Sequence, residues 1–335
     1  MKPTSTARIY RPTRRNLATL ANVLARGGLV AAPTETVYGL AADALNAKAC
    51  RAIFRAKGRP ADDPLIVHVD TLAQAEAIAE WNEAARLVAK AFWPGPLTLV
   101  LPKKPGVPGI VTSGLPSVAV RMPAHRLFRQ LIRLSGCPLA APSANPFGYV
   151  SPTTAEHVRD HLGRRIGHIL DGGASKIGLE STIIDLRDTA HPALLRPGAI
   201  SKEGLERVLG LTVSAHGRTV PTKARAIAPG MLERHYSPRT PLILSPALSP
   251  ELIGRVPANE ALLFIRKPER VPPFKNVFWL ARSGGSLSEA AHNLFDRLRS
   301  LDTGGWRSIH AELAAGDDPL VAAINDRLSR AAAKG

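Results

Sequence analysis

Leu17, Leu20, Val23 and Leu24 fall on one face of a segment that stops at Gly27-Gly28, so residues 16–26 are predicted to form a glycine-terminated helix. The apolar run 28–33 then reads as a buried strand. The alternation continues with a helix over 46–55, a strand at 65–69, helices within 71–92 and a strand at 97–101. Further strands are predicted at 118–121, 139–141, 169–171 and 181–186, with helices at 124–135 and 154–162. Strands interleaved with helices at this spacing give an α/β fold, a twisted mixed sheet flanked by helices. Residues 211–241 break the pattern with Pro221, Pro229, Gly230, Pro238 and Pro241, which reads as a linker. His235 and Tyr236 are unusual side chains for a tether, and they predict that the segment folds back as a lid. A second, smaller α/β unit comes next, with strands at 242–245, 261–265 and 277–280. Ser286 with Glu289 fits a capping box, and Asp318 with Pro319 marks the start of the last helix. The expected organisation is therefore a first domain over 1–210, a linker over 211–240 and a C-terminal domain over 241–335.

A chain of 335 residues exceeds the usual size of one core, in keeping with two domains. No apolar run approaches the roughly 18 residues needed to span a bilayer, and residues 1–15 carry five basic side chains without an apolar core. Cys50 and Cys137 form no Cys-x-x-Cys unit and cannot build a disulfide framework. These features predict a cytoplasmic protein without a membrane anchor. The formal charge of +17 favours anionic partners such as nucleotides, RNA or acidic metabolites, without choosing among them.

Candidate chemistry gathers just beyond the predicted strands, where ligands of open α/β sheets bind. Thr34, Glu35, Thr36 and Tyr38 come directly after the first strand, as a substrate pocket or as a polar turn that caps the next helix. Lys57-Gly58-Arg59-Pro60 precedes Asp62, Asp63 and His68. If the segment is extended, Lys57 and Arg59 project to one side and can share a phosphate; the alternative is a solvated helix end. Ser117, Ala119 and Arg121 alternate onto one strand face. Ser143, Asn145 and Ser151 sit beyond a later strand, then come Asp171-Gly-Gly, Ser181-Thr182 and Leu195-Arg196-Pro197-Gly198. Gly-x-x-x-x-Gly-Lys, Gly-x-Gly-x-x-Gly and Gly-x-Ser-x-Gly signatures are absent, as is zinc-type Cys/His spacing.

Taken in order, PTETVYGL, KGRP with PLIVH, FWPGPLTLVL, VAVRMP, PSAN, DGG with STIID, LRPGAI and HYSP resemble the threonylcarbamoyl-AMP synthase family in its longer, two-domain form with a YrdC-like first domain. The resemblance implies that L-threonine, bicarbonate and ATP are joined with release of pyrophosphate, for threonylcarbamoyladenosine in tRNA. It implies Mg2+ with ATP and a basic cleft. Lys57, Arg59 and His68 are the expected catalytic side chains. Thr34, Thr36, Tyr38, His68, Arg121, Ala141 and Ser181 are expected around threonine, with Arg121 on its carboxylate. Lys57, Arg59, Asp63, Ser117, Ser143, Asn145, Ser151, Arg196 and Tyr236 are expected around ATP. Two positions depart from the family: Asp63 stands where asparagine is usual and Ser117 where threonine is. A monomer is expected, downstream tRNA-modifying machinery is a possible partner, and direct tRNA contact is left open. A hydrolase or carbamoyl transferase on the same fold is one alternative, and an RNA-binding module without catalysis is another. RNA binding alone predicts steep salt sensitivity and no ATP consumption. Arg59→Ala is expected to lower activity by orders of magnitude while leaving the fold intact.

Overall fold

A computed structural model describes residues 6–215, 227–228, 235–270 and 274–333. Among them the chain runs β1 (Arg8–Tyr10), α1 (Arg14–Ala25), β2 (Val30–Ala32), β3 (Gly39–Asp43), α2 (Ala47–Lys57), β4 (Ile66–His68), α3 (Leu72–Ile78), α4 (Glu83–Phe92), β5 (Leu97–Pro102) and β6 (Ser117–Arg121). It continues through α5 (Arg126–Ser135), β7 (Leu139–Ala140), α6 (Ala155–Leu162), β8 (His168–Leu170), β9 (Thr182–Asp185), β10 (Ala193–Arg196), α7 (Lys202–Leu209) and β11 (Ser214–Ala215). The later part holds β12 (Leu242–Ser245), α8 (Pro250–Arg255), β13 (Ala261–Arg266), β14 (Val277–Ala281), α9 (Leu287–Asp302), β15 (Ile309–Glu312) and α10 (Leu320–Ala332).

Strands β1 to β11 form one mixed sheet in the order β1-β8-β2-β3-β7-β4-β6-β5-β9-β10-β11, and β12, β15, β13 and β14 form a second, parallel sheet. This is the α/β architecture expected from the hydrophobic pattern. Helix starts follow local chemistry: Thr13 caps α1 and the Asn46 side chain accepts from the Lys48 and Ala49 amides of α2. The capping box at α9 is only half formed. Ser286 accepts from the Glu289 amide, while Glu289 turns to the Arg282 amide. Asp318 Oδ1 accepts from the Leu320 amide at the start of α10.

Four registers place the site. His68 on β4 and Thr98 on β5 both lie opposite Arg121 on β6, and Ile183 on β9 lies opposite Thr98. Gly39 on β3 bridges Ser143. The second sheet docks against the first: Val37, Tyr149, Val150, Leu179 and Tyr236 share an apolar cluster with Leu263, Leu294, Phe295 and Ile324. Burying such side chains contributes about 1.5–3 kcal/mol each. Residues 216–226 and 229–234 of the expected linker lie outside the described residues.

Candidate active site

One cavity collects most of the expected side chains. Thr34, Thr36, Arg59, His68, Arg121, Ala141, Ser143, Ser181, Arg196 and Tyr236 line it, joined by Val37, Gly39, Ile66, Pro142, Glu180 and His235. Pro33 ends the strand pairing of β2, and the Thr34 hydroxyl closes the next turn by accepting from the amides of Thr36 and Val37. The turn leads into strand β3 and caps no helix, since Asn46 caps α2, and its side chains form a wall of the cavity.

Arg121 ends β6 and is buried. It donates from Nη2 to Glu35 Oε1 at 2.5 Å, from Nη1 to Thr36 Oγ1 at 3.0 Å and from Nε to the Gly95 carbonyl at 3.2 Å. Burial alone would raise the Glu35 carboxyl, but Arg121 holds it below the ordinary carboxylate value. Beside them, burial and the Arg121 charge push the His68 imidazole down to about 3, so it is neutral near pH 7. Across the cavity Arg196 donates from Nε to the Ser181 carbonyl at 3.0 Å and from Nη2 to Ser181 Oγ at 3.1 Å. Ser181 Oγ lies 2.8 Å from Thr98 Oγ1. Arg59 donates to the carbonyls of Asp63 at 2.9 Å and Pro64 at 2.7 Å, and its Nη2 lies 2.9 Å from Asp63 Oδ2. Burial pushes the Asp63 carboxyl up and the Arg59 guanidinium down, each opposed by the other's charge.

Six expected side chains are not on the cavity wall. Lys57 is the last residue of α2, and Gly58 at φ +67° turns the chain there, so Lys57 and Arg59 do not extend side by side. The Lys57 ammonium instead donates to the carbonyls of Ser143 at 2.5 Å and Asn145 at 2.6 Å, tying down the PSAN loop. Nor is it a solvated helix end, because it is buried. The Tyr38 hydroxyl points to the Asp171-Gly-Gly loop, donating to the Gly173 carbonyl and accepting from the Gly172 amide. Asp63 faces Arg59. Asn145 donates to the carbonyls of Pro146 and Tyr149. Ser151 Oγ donates to Glu180 Oε1. Ser117 begins the strand that Arg121 ends, roughly 13 Å away at the rise of a strand, and its buried hydroxyl has no partner among the described residues. The strand itself is internal, between β4 and β5, and not an edge.

Three residues of the site were given no binding role from sequence: Glu35, which pairs with Arg121, and Glu180 and His235 on the cavity wall. Each lies inside or directly beside a motif already noted, and the signal for the two glutamates was that buried arginines require buried acids.

A family model described as telomere recombination, covering Sua5, YciO and YrdC proteins, matches residues 22–198, and the model of the threonylcarbamoyl-AMP synthase C-terminal domain matches residues 200–333. The threonylcarbamoyl-AMP synthase of Pyrococcus abyssi is 44% identical over 324 residues, 93% of this chain and 92% of the relative. The chain belongs to the threonylcarbamoyl-AMP synthase family. Within that family, the synthase of Bacillus subtilis is 42% identical over 94% of this chain and 92% of its own. The crystal structure of the Pyrococcus abyssi Sua5 protein complexed with L-threonine superposes with a TM-score of 0.86 at 42% identity, covering 97% of this chain and 96% of that one.

Proposed function

We propose that this chain is an L-threonylcarbamoyladenylate synthase, a nucleotidyltransferase that joins L-threonine, bicarbonate and ATP and releases pyrophosphate. The observation that carries the reading is one cavity in which three buried guanidiniums, Arg59, Arg121 and Arg196, converge with Thr36, His68 and Ser181. ATP, bicarbonate and the threonine carboxylate repel one another, and fixed cations in a low-dielectric site bring them within reacting distance.

Threonine sits at the Arg121 end, where Thr34, Thr36, His68, Ala141 and Ser181 surround it and the guanidinium takes its carboxylate. The nucleotide sits toward Arg59, Ser143 and Arg196, with Ser151 and Tyr236 beside it. The threonine amine attacks the bicarbonate carbon, and the C–O bond to its hydroxyl breaks as the hydroxyl departs with the amine proton as water, giving a carbamate. A carbamate oxygen then attacks the α-phosphorus of ATP, breaking its bond to the bridging oxygen of the departing pyrophosphate. No covalent enzyme intermediate is needed, so catalysis comes from proximity and from charge stabilisation by the arginines. His68, held neutral, serves as a hydrogen-bonding wall and not as a proton donor. Lys57 acts through the PSAN loop it fastens, not by touching phosphate.

Mg2+ enters with ATP as part of the substrate. Its ligands are chiefly phosphate oxygens and water, as is usual for Mg2+ bound with a nucleotide. No described helix is long and apolar enough to cross a membrane, and we place the protein in the cytoplasm with its nucleotide substrate. We further propose the division into 1–210, 211–240 and 241–335, with the linker closing over the nucleotide through Tyr236. Its backbone φ of +63° is costly for a bulky residue, which suits a side chain held for a purpose. Unchanged ATP affinity and turnover in Tyr236→Ala rules the gate out.

The deciding experiment incubates the protein with ATP, Mg2+, bicarbonate and each amino acid in turn and measures pyrophosphate. Release only with threonine and bicarbonate together is expected. Binding of RNA with no pyrophosphate under any combination overturns the synthase reading.

A further inference from the structure

Glu180 lines the cavity but belongs to a chain of contacts that leads out of the first sheet. One carboxylate oxygen accepts from Ser151 Oγ, and the other accepts from Arg327 Nε at 3.0 Å. Arg327 lies on α10, the last helix of the second unit, 147 residues away in sequence, and is fully buried. Its Nη1 donates to the Pro197 carbonyl at 2.7 Å and to Asp326 Oδ2 at 2.9 Å, and its guanidinium carbon lies 5.4 Å from the centroid of the Tyr236 ring. One side chain of the second unit thus holds Glu180, the residue after Arg196, and the aromatic of the HYSP segment. Arg299 of α9 reaches the same loop independently, donating to the carbonyls of Val150 and Ser151.

A guanidinium without exposure carries a large desolvation cost, and an apolar side chain on the inner face of α10 would serve packing at least as well. What a fork of donors adds is direction, because it fixes carboxylate and carbonyl oxygens at defined angles. We propose that Arg327 is a positioning residue for the nucleotide half of the site: by fixing Glu180 and the Pro197 carbonyl it sets the cavity wall at Glu180 and aims the Arg196 guanidinium at ATP. The second unit then supports the wall of the ATP site from behind and is not an independent module. The proposal rests on the synthase reading and deepens it.

The test uses the full-length chain, with pyrophosphate release for KM and kcat and calorimetry for ATP affinity. Wild type is the control for the reading itself: if it neither binds ATP nor releases pyrophosphate, the synthase reading fails and this proposal falls with it. Given an active wild type, Arg327→Met is expected to raise the KM and Kd for ATP by about tenfold or more while the threonine KM stays within about threefold. Arg327→Lys, which keeps the charge but not the fork, recovers part of that loss. In a Glu180→Gln background Arg327→Met adds clearly less than it does in the wild type, the remainder coming from the Pro197 carbonyl that it also fixes. Should the single variant fail to fold, the pair Arg327→Met with Glu180→Gln leaves no buried charge opposed to nothing and is assayed against Glu180→Gln alone. A lowered melting temperature with ATP affinity unchanged, an equal rise in both KM values, or additive effects in the cycle overturns the proposal.

Discussion

Arg59 and Asp63 form a buried ion pair with side chains only 3% and 1% exposed, and this changes what substitution at position 59 does. Read from sequence, Arg59→Ala removes activity and spares the fold. The structure corrects that expectation, because the truncation leaves the Asp63 carboxylate buried without its cation. Breaking such a pair costs about 3–5 kcal/mol, so urea unfolding of Arg59→Ala is expected to show a loss of that size together with lost pyrophosphate release. Adding Asp63→Asn restores most of the stability but none of the activity, which separates the two roles of the arginine. Asp63→Asn alone frees Arg59 for triphosphate and is expected to lower the ATP KM by about fivefold. His68 gives the pH behaviour. Its pKa falls from 6.5 to about 3 on folding, so the unfolded chain binds the extra proton. Its contribution is full above about 6.5 and is lost as pH falls toward about 3, and His68→Gln is expected to flatten the stability profile across that window in denaturant titrations.

The last residues of β10 and the first of β9 touch through Gly198. A Cβ there would lie 2.5 Å from the Thr182 nitrogen and 2.8 Å from the Ser181 carbonyl carbon. Both are backbone, so they cannot swing aside. Gly198→Ala is therefore expected to push Arg196 away from Ser181 and raise the KM for ATP and for threonine together. Misplacement by a fraction of an ångström to one ångström costs about 10- to 100-fold in kcat/KM. The same region shows where sequence reasoning ran short. Helix α1 was readable because Leu17, Leu20 and Leu24 recur at helical spacing and are all buried. Strand β3 was not, because Gly39-Leu-Ala-Ala-Asp has no β-branched residue and comes after a polar turn. It is a strand because β2 and β7 flank it and supply its hydrogen bonds, a tertiary effect that overrides local preference. Strand β10 and helix α7 were missed for a related reason: the Arg196-Pro197-Gly198 turn dominates the local signal and hides the short elements on either side.

A net charge of +17 pointed toward anionic partners, but composition does not say which cations are inside. Arg59, Arg121, Arg196, Arg299 and Arg327 are all buried, three at the cavity and two where the second unit meets it. Arg327 could have been found: on α10 it comes after the buried Ala323 and Ile324 at helical spacing, a charge placed on an apolar stripe. The two units fit closely at Gly178, whose φ is +81°. A Cβ there would meet the His292 carbonyl oxygen at 2.5 Å and its Cα at 2.6 Å, on α9 of the second unit. The 177–178 strap also reaches the Arg121 end of the cavity, since the Ile177 amide donates to the Glu35 carbonyl at 2.8 Å and the Gly178 amide to the Thr36 carbonyl at 3.1 Å. A methyl at position 178 must therefore lift α9, drag the Glu35-Thr36 turn, or both, on top of left-handed backbone strain of about 1 kcal/mol. Gly178→Ala is expected to lower the melting temperature and to raise the threonine KM more than the ATP KM, the reverse of the ordering expected for Arg327→Met. If the ATP KM rises first instead, the strap is not what connects α9 to the Arg121 end of the cavity, and the second unit acts on the site through α10 alone.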